Sequence, residues 1–193
     1  MKQYIFAVLI LLFAALSGGS YAYFSVNTAS DNKALIHNGA WRASLYVGSA
    51  QASTFIRAVI SKIGLLALSR KEVMYFQANS DDSGDPISSD FEYEIIAEDL
   101  PTRWWSLTLY NYDHYMTPNS FNKYSVKSSQ AIKNEDGKMT IILSKKKHDG
   151  NWIPMGNGQN MSLSIRMYNP NTGVENQLAT MKLPSIRKIG EAE

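Results

Sequence analysis

Residues 104–110 read Trp-Trp-Ser-Leu-Thr-Leu-Tyr, and this run constrains the fold more than any other part of the chain. With the period of two that a β-strand imposes, Trp105, Leu107 and Leu109 fall on one face, and Trp104, Ser106, Thr108 and Tyr110 on the other. A strand with one apolar face needs neighbours that share that face, which predicts a central strand of a half-buried antiparallel sheet. The same alternation recurs where Met161, Leu163, Ile165 and Met167 interleave with Ser162, Ser164, Arg166 and Tyr168. Weaker versions cover residues 73–77, 91–97, 124–126, 139–144 and 178–183, each bounded by turn chemistry such as Asp85-Pro86, Asp136-Gly137 or Asn169-Pro170. Seven to eight short strands of this kind predict a mainly β fold, an antiparallel jelly-roll-like β-sandwich.

Before the strands the period changes. Phe55, Ile56, Val59, Ile60, Ile63 and Leu66-Ala67 recur at three and four, with Ser53 or Thr54 placed to cap, which predicts one packing helix. Gly64 lies inside that pattern, at a cost of about 1 kcal/mol against alanine, and implies close approach by another element. Further upstream, Tyr4 to Val26 carries no charge. A helix of that length reaches across a bilayer, which needs about 20 apolar residues. Lys2 lies on its inner side, and Tyr21, Tyr23 and Phe24 form an aromatic belt near its outer end. Ser20-Tyr21-Ala22 also presents the small residues that a signal peptidase reads. Two fates therefore stand open: an uncleaved anchor in a bacterial inner membrane, facing the periplasm, or a periplasmic protein released by cleavage before Tyr23. The expected organisation is a signal or transmembrane segment at 1–26, a polar linker at 27–38 and the sandwich at 39–190.

Composition removes several function classes. The chain of 193 residues has no cysteine, so thiol nucleophiles, disulfides and thiolate metal sites are excluded. A net charge of +2 with no basic stripe gives no electrostatic footprint for nucleic acid. Asp81, Asp82 and Asp85 do not have the spacing of an EF-hand loop and read as an acidic turn. His37, His114 and His148 are dispersed, with no His-x-His pair for a metal on a jelly roll, so neither a metal nor another cofactor is expected.

Trp104-Trp105-Ser106-Leu107-Thr108-Leu109-Tyr110, Asp136-Gly137, Asn151-Trp152-Ile153-Pro154 and Arg166-Met167-Tyr168-Asn169-Pro170 follow one another in that order. They resemble the landmarks of the family called domain of unknown function 1214. Trp41, Gly48, Arg57-Ala58, Gly64-Leu65, Ala67-Leu68, Glu72 and Tyr75 resemble its helical lead-in. Met181-Lys182-Leu183-Pro184 departs from it, standing where that family usually has a tryptophan and a double proline. The resemblance implies a jelly-roll-like sandwich and no particular activity.

The polar candidates cluster around the strand ends. Arg166 sits in mid-strand beside Ser164 and Tyr168, where a covered guanidinium would need a carboxylate, with Glu72, Glu94 and Asp113 available. Trp104, Tyr110, Tyr112 and Trp152 offer either packing or a platform for sugar rings, Tyr168 stands with Arg166 as a ligand-binding candidate, and Asp113-His114 follow the central strand directly. No nucleophile elbow or phosphate-cradling loop is present. The sequence thus favours a non-catalytic envelope module that binds a partner protein or a polysaccharide. The alternative is an enzyme acting on an envelope glycan or small molecule, with Asp113, His114 and Arg166 as its polar centre, and geometry discriminates: the enzyme needs those three groups in one concave pocket.

Overall fold

A computed structural model describes residues 2–27 and 35–192 of the chain. The expected linker, 27–38, lies mostly outside the described residues, and its last four form a strand. In order, helix α1 spans Lys2–Asn27, β1 Leu35–Asn38, β2 Trp41–Ser44, α2 Thr54–Lys62, β3 Val73–Ala78, β4 Phe91–Ala97 and β5 Thr102–Tyr110. Then come β6 Ser125–Lys127, β7 Met139–Ser144, β8 Asn151–Pro154, β9 Ser162–Pro170 and β10 Ser185–Glu191.

Two sheets result, one of six strands in the order β1-β2-β3-β9-β5-β6 and one of four in the order β10-β4-β7-β8. The period-two residues set the register. Across β3, β9 and β5 the inward rows are Met74–Met167–Trp105, Phe76–Ile165–Leu107 and Ala78–Leu163–Leu109. The second sheet answers with Ile186–Ile95–Ile141, and with Tyr93 opposite Leu143. All of these side chains are buried in one shared core, so the molecule is a mainly β sandwich of two packed sheets, as the alternation predicts. Ladders are antiparallel except one: β7 and β8 run parallel at the edge of the smaller sheet. Six strands against four, with that parallel pair, do not by themselves establish jelly-roll connectivity.

Three local readings change. The helix of residues 53–67 is shorter than its apolar pattern. Ser53 caps it by accepting from the Ile56 N–H at 3.2 Å, but it ends at Lys62. Gly64 adopts φ +67°, Gly64 N–H donates to Ser61 O and Leu65 N–H to Ile60 O, which is a glycine-terminated Schellman cap. Among the described residues a β-carbon at Gly64 would meet nothing within 4 Å, so none of their elements packs closely there; the glycine supplies the left-handed turn instead. Second, residues 178–183 form no strand. Leu178 and Met181 are buried at a spacing of three, after a 3-10 turn at Val174–Asn176, and the last strand is Ser185–Glu191. Third, Asn151–Pro154, outside the strands read from the sequence, forms one. The Asn151 side chain stitches it in place, accepting from Ile132 N–H at 2.7 Å and donating to Ile132 O at 2.7 Å and Thr140 O at 3.1 Å.

The acidic turn is satisfied within the protein. Buried Asp81 accepts from the backbone N–H groups of Ser83 and Asp85, Asp82 accepts from that of Ile186, and Asp85 pairs with Lys188 at 2.7 Å. Helix α1 has no buried residue, is exposed from Lys2 to Phe24, and is apolar enough to cross a membrane, compatible with a membrane anchor or a signal peptide.

Candidate functional site

The outer face of the six-stranded sheet carries the site. Residues that alternate with the core positions form rows here too: Tyr75–Arg166–Ser106 and, one step along, Arg42–Gln77–Ser164–Thr108–Ser125. One step further Ser162 pairs with Tyr110. Arg166 and Tyr110 are thus separated along the sheet by the small Ser164–Thr108 row, and their long side chains meet across it. The guanidinium Nη2 donates to the Tyr110 hydroxyl at 2.7 Å, with the guanidinium carbon 5.4 Å from the ring centroid. Ser106, Thr108 and Ser164 are buried although they belong to the outer face, and the Arg166–Tyr110 contact passes over the Ser164–Thr108 row.

This arrangement corrects the expectation for Arg166. Among the described residues it has no carboxylate partner. Glu72 is bound to Ser69, Glu94 lies on β4 in the other sheet, and Asp113 is exposed in a loop. Arg166 is only half-buried, so water reaches it and no ion pair is required. A guanidinium has five N–H donors, and the Tyr110 hydroxyl accounts for one.

Helix α2 and the segment after it stand over this face and leave a trough of three adjoining compartments. The largest, about 810 Å³, is bordered by His37, Arg42, Lys62, Asp113 and His114 with Asn79, Asn111 and Ser162. A middle compartment of about 310 Å³ lies under α2, against Ile56, Val59, Ile60 and Ile63. The third, about 300 Å³, has Tyr75, Gln77, Tyr110, Ser164, Arg166 and Tyr168 as its floor and residues 63–66 and Leu68 as its wall. His114 borders all three. Among the described residues the cations of the trough are Arg42, Lys62 and Arg166, and its single carboxylate is Asp113, so this lining attracts negative charge.

Of the residues singled out in the sequence, Arg166, Tyr110, Tyr112, Tyr168, Asp113 and His114 border this trough, though not one compartment of it. Asp113 and His114 share the largest, while Arg166 meets only His114, in the third. His114 is exposed, in a turn of φ +65° held by its N–H to Asn111 O, and no side-chain hydrogen bond orients its imidazole or the Asp113 carboxylate among the described residues. Trp104 and Trp152 do not border the trough. The Trp104 ring packs edge-on to Tyr168 at 4.9 Å and its N–H reaches Ser129 Oγ. Trp152 is buried, its N–H donating to Ser144 O at 3.0 Å and its ring edge-on to Phe121. Sequence reasoning missed His37, Arg42 and Lys62. Each lies on a different element or edge strand, and no spacing in the chain announces that they meet.

The family model described as protein of unknown function (DUF1214) matches residues 72–172. The chain belongs to this family. In DUF1214 terms the match runs from the start of β3 through β9, so it contains the floor of the trough, with Tyr75, Tyr110, Ser164 and Arg166. The α2 wall and the β1–β2 edge, with His37, Arg42 and Lys62, lie outside it. The VPA0106 protein from Vibrio parahaemolyticus has a similar fold, with a TM-score of 0.60 and 22% identity over 72% of this chain. A putative uncharacterized protein from Burkholderia cenocepacia matches 94% of the chain at 16% identity and a TM-score of 0.46. This chain spans 36% and 44% of the lengths of those two proteins. No curated protein matches it.

Proposed function

We propose that this chain is a non-catalytic module of the bacterial envelope, held at the inner membrane by α1 with its sandwich in the periplasm, and that its trough binds an acidic polysaccharide. The units are then the apolar segment, 1–26, a short connection, and the sandwich of 39–190 extended by β1. One observation carries the ligand class: among the described residues the trough sets Arg42, Lys62 and Arg166 against the single carboxylate of Asp113. Its floor is hydroxylated and aromatic, through Ser162, Ser164, Tyr75, Tyr110 and Tyr168. Hydroxyl and amide groups suit sugar hydroxyls, and a planar guanidinium with donors to spare suits a uronate carboxylate, which it grips in a two-point fork.

The separation of Asp113 from Arg166, and the absence of an oriented base among the described residues, argue against the enzyme reading. The test is titration of the full chain in detergent with acidic and neutral oligosaccharides of matched length. Acidic oligomers should bind, more weakly as salt rises, with no product formed. Equal affinity for neutral oligomers, no binding of either, or turnover of any of them would refute the proposal.

A further inference from the structure

Between Asp31 and Glu72 the sequence has no acidic residue, while Lys33, Arg42, Arg57, Lys62, Arg70 and Lys71 all fall there. The segment that follows α2 places leucines in an unusual position. Leu66 is 94% exposed and Leu68 is 48% exposed, with Arg70 and Lys71 exposed directly after them. This is not a loose loop. Leu68 N–H donates to the Tyr75 hydroxyl at 3.0 Å, Ala67 N–H to Leu65 O at 2.9 Å, and Ser69 N–H and Oγ both donate to Glu72. Gly48 closes on it from below, so near that a β-carbon there would lie 1.8 Å from the Leu68 carbonyl oxygen. The backbone is fixed, and the leucines are held outward.

The same wall touches the membrane helix. Lys62, at the end of α2, donates to the side chain of Asn27, the last residue of α1. Leu66 follows Lys62 by four residues, a reach of at most about 14 Å. With α1 across a bilayer, Asn27 stands at the outer interface, and projecting leucines beside cations stand within reach of the headgroups.

We propose that residues 65–71 form a second membrane contact, in which Leu66 and Leu68 enter the headgroup–acyl boundary while Arg70 and Lys71 bind anionic phospholipid. Apolar burial and attraction to anionic lipid add in such interfacial contacts. The contact fixes the sandwich against the bilayer and opens the α2 wall of the trough at the membrane surface. For its geometry it rests on the reading of α1 as an anchor.

The chain has no cysteine, so single labels can be placed without background. Full-length Leu66→Cys, Leu68→Cys and, as an exposed control, Ile132→Cys carry a polarity-sensitive fluorophore in vesicles of phosphatidylethanolamine and phosphatidylglycerol. Labels at 66 and 68 should shift to shorter wavelength and be quenched by spin-labelled lipid, and the label at 132 should do neither. Adding Arg70→Glu and Lys71→Glu, or using phosphatidylcholine alone, should reverse the shift at 66. An aqueous spectrum at 66 in anionic vesicles overturns the contact, and so does a shift without lipid quenching, which marks a protein occupant such as a second copy. Alkaline extraction tests the anchor separately. If the chain is extracted, the anchor reading fails, and the response of the extracted protein to added anionic vesicles decides the contact alone.

Discussion

Leu107 and Thr108 are neighbours in β5 with opposite fates, and replacing each by aspartate tests the register of the whole sandwich. Leu107 is 1% exposed, in the row Phe76–Ile165–Leu107, with Val126 on its other side. Leu107→Ala removes buried methyl groups from a closed row and should cost about 2–5 kcal/mol. For a domain of this size each kcal/mol moves the thermal midpoint by about 2–4 °C, so a fall of roughly 10 °C is expected. Leu107→Asp adds an unpaired carboxylate in the core, and the combined penalty reaches the whole stability of a domain, about 5–15 kcal/mol. That variant should show no cooperative transition. Thr108 is also buried, at 6% exposure, so its face is not the open surface that alternation alone suggests. What covers it, however, is Arg166 and Tyr110, which meet over its row. A carboxylate at 108 gains a cation and a hydroxyl, which limits the cost of Thr108→Asp to about 1–3 kcal/mol. Circular dichroism melts of the full chain in detergent measure all three variants. If Thr108→Asp is as damaging as Leu107→Asp, or Leu107→Ala melts with the wild type, the assignment of the faces is wrong.

Asn151→Ala removes an acceptor for Ile132 N–H and donors to two carbonyls, and should lower stability by about 3 kcal/mol in urea denaturation; an unchanged midpoint would show that β8 does not depend on this stitch. Gly64→Ala forces a left-handed L-residue and should cost about 1–2 kcal/mol, whereas a gain in stability would mean that α2 continues past Lys62.

The central strands were legible because each has one core face, and a period of two leaves no other register for Trp105, Leu107 and Leu109. Edge elements were not. Leu35–Asn38 is short and mostly polar in context, and its pattern does not differ from a linker. Asn151–Pro154 is buried at every position, so it shows no alternation at all. The apolar pattern outruns the helix because Leu66 and Ala67 continue its spacing, while the glycine that stops it acts through backbone conformation and not hydropathy. The site was half visible. Arg166 and Tyr110 both stood out, but their meeting depends on the small side chains of Ser164 and Thr108 between them, a relation across two strands. The cations of the opposite wall come from β2 and α2, and only the fold brings them there.

The central claim is that Arg166 serves a ligand and not the fold. Arg166→Met keeps the apolar stem and removes the charge, and one sample of it can be melted and titrated with an acidic oligosaccharide. A half-buried arginine with no carboxylate partner among the described residues contributes little to stability, so the variant should melt within a few degrees of the wild type, a difference of under about 1 kcal/mol. Binding should fall at least about tenfold, the equivalent of 1.4 kcal/mol lost with one charge-assisted contact. A collapse of the melting temperature, or unchanged affinity at an unchanged melting temperature, would contradict the account.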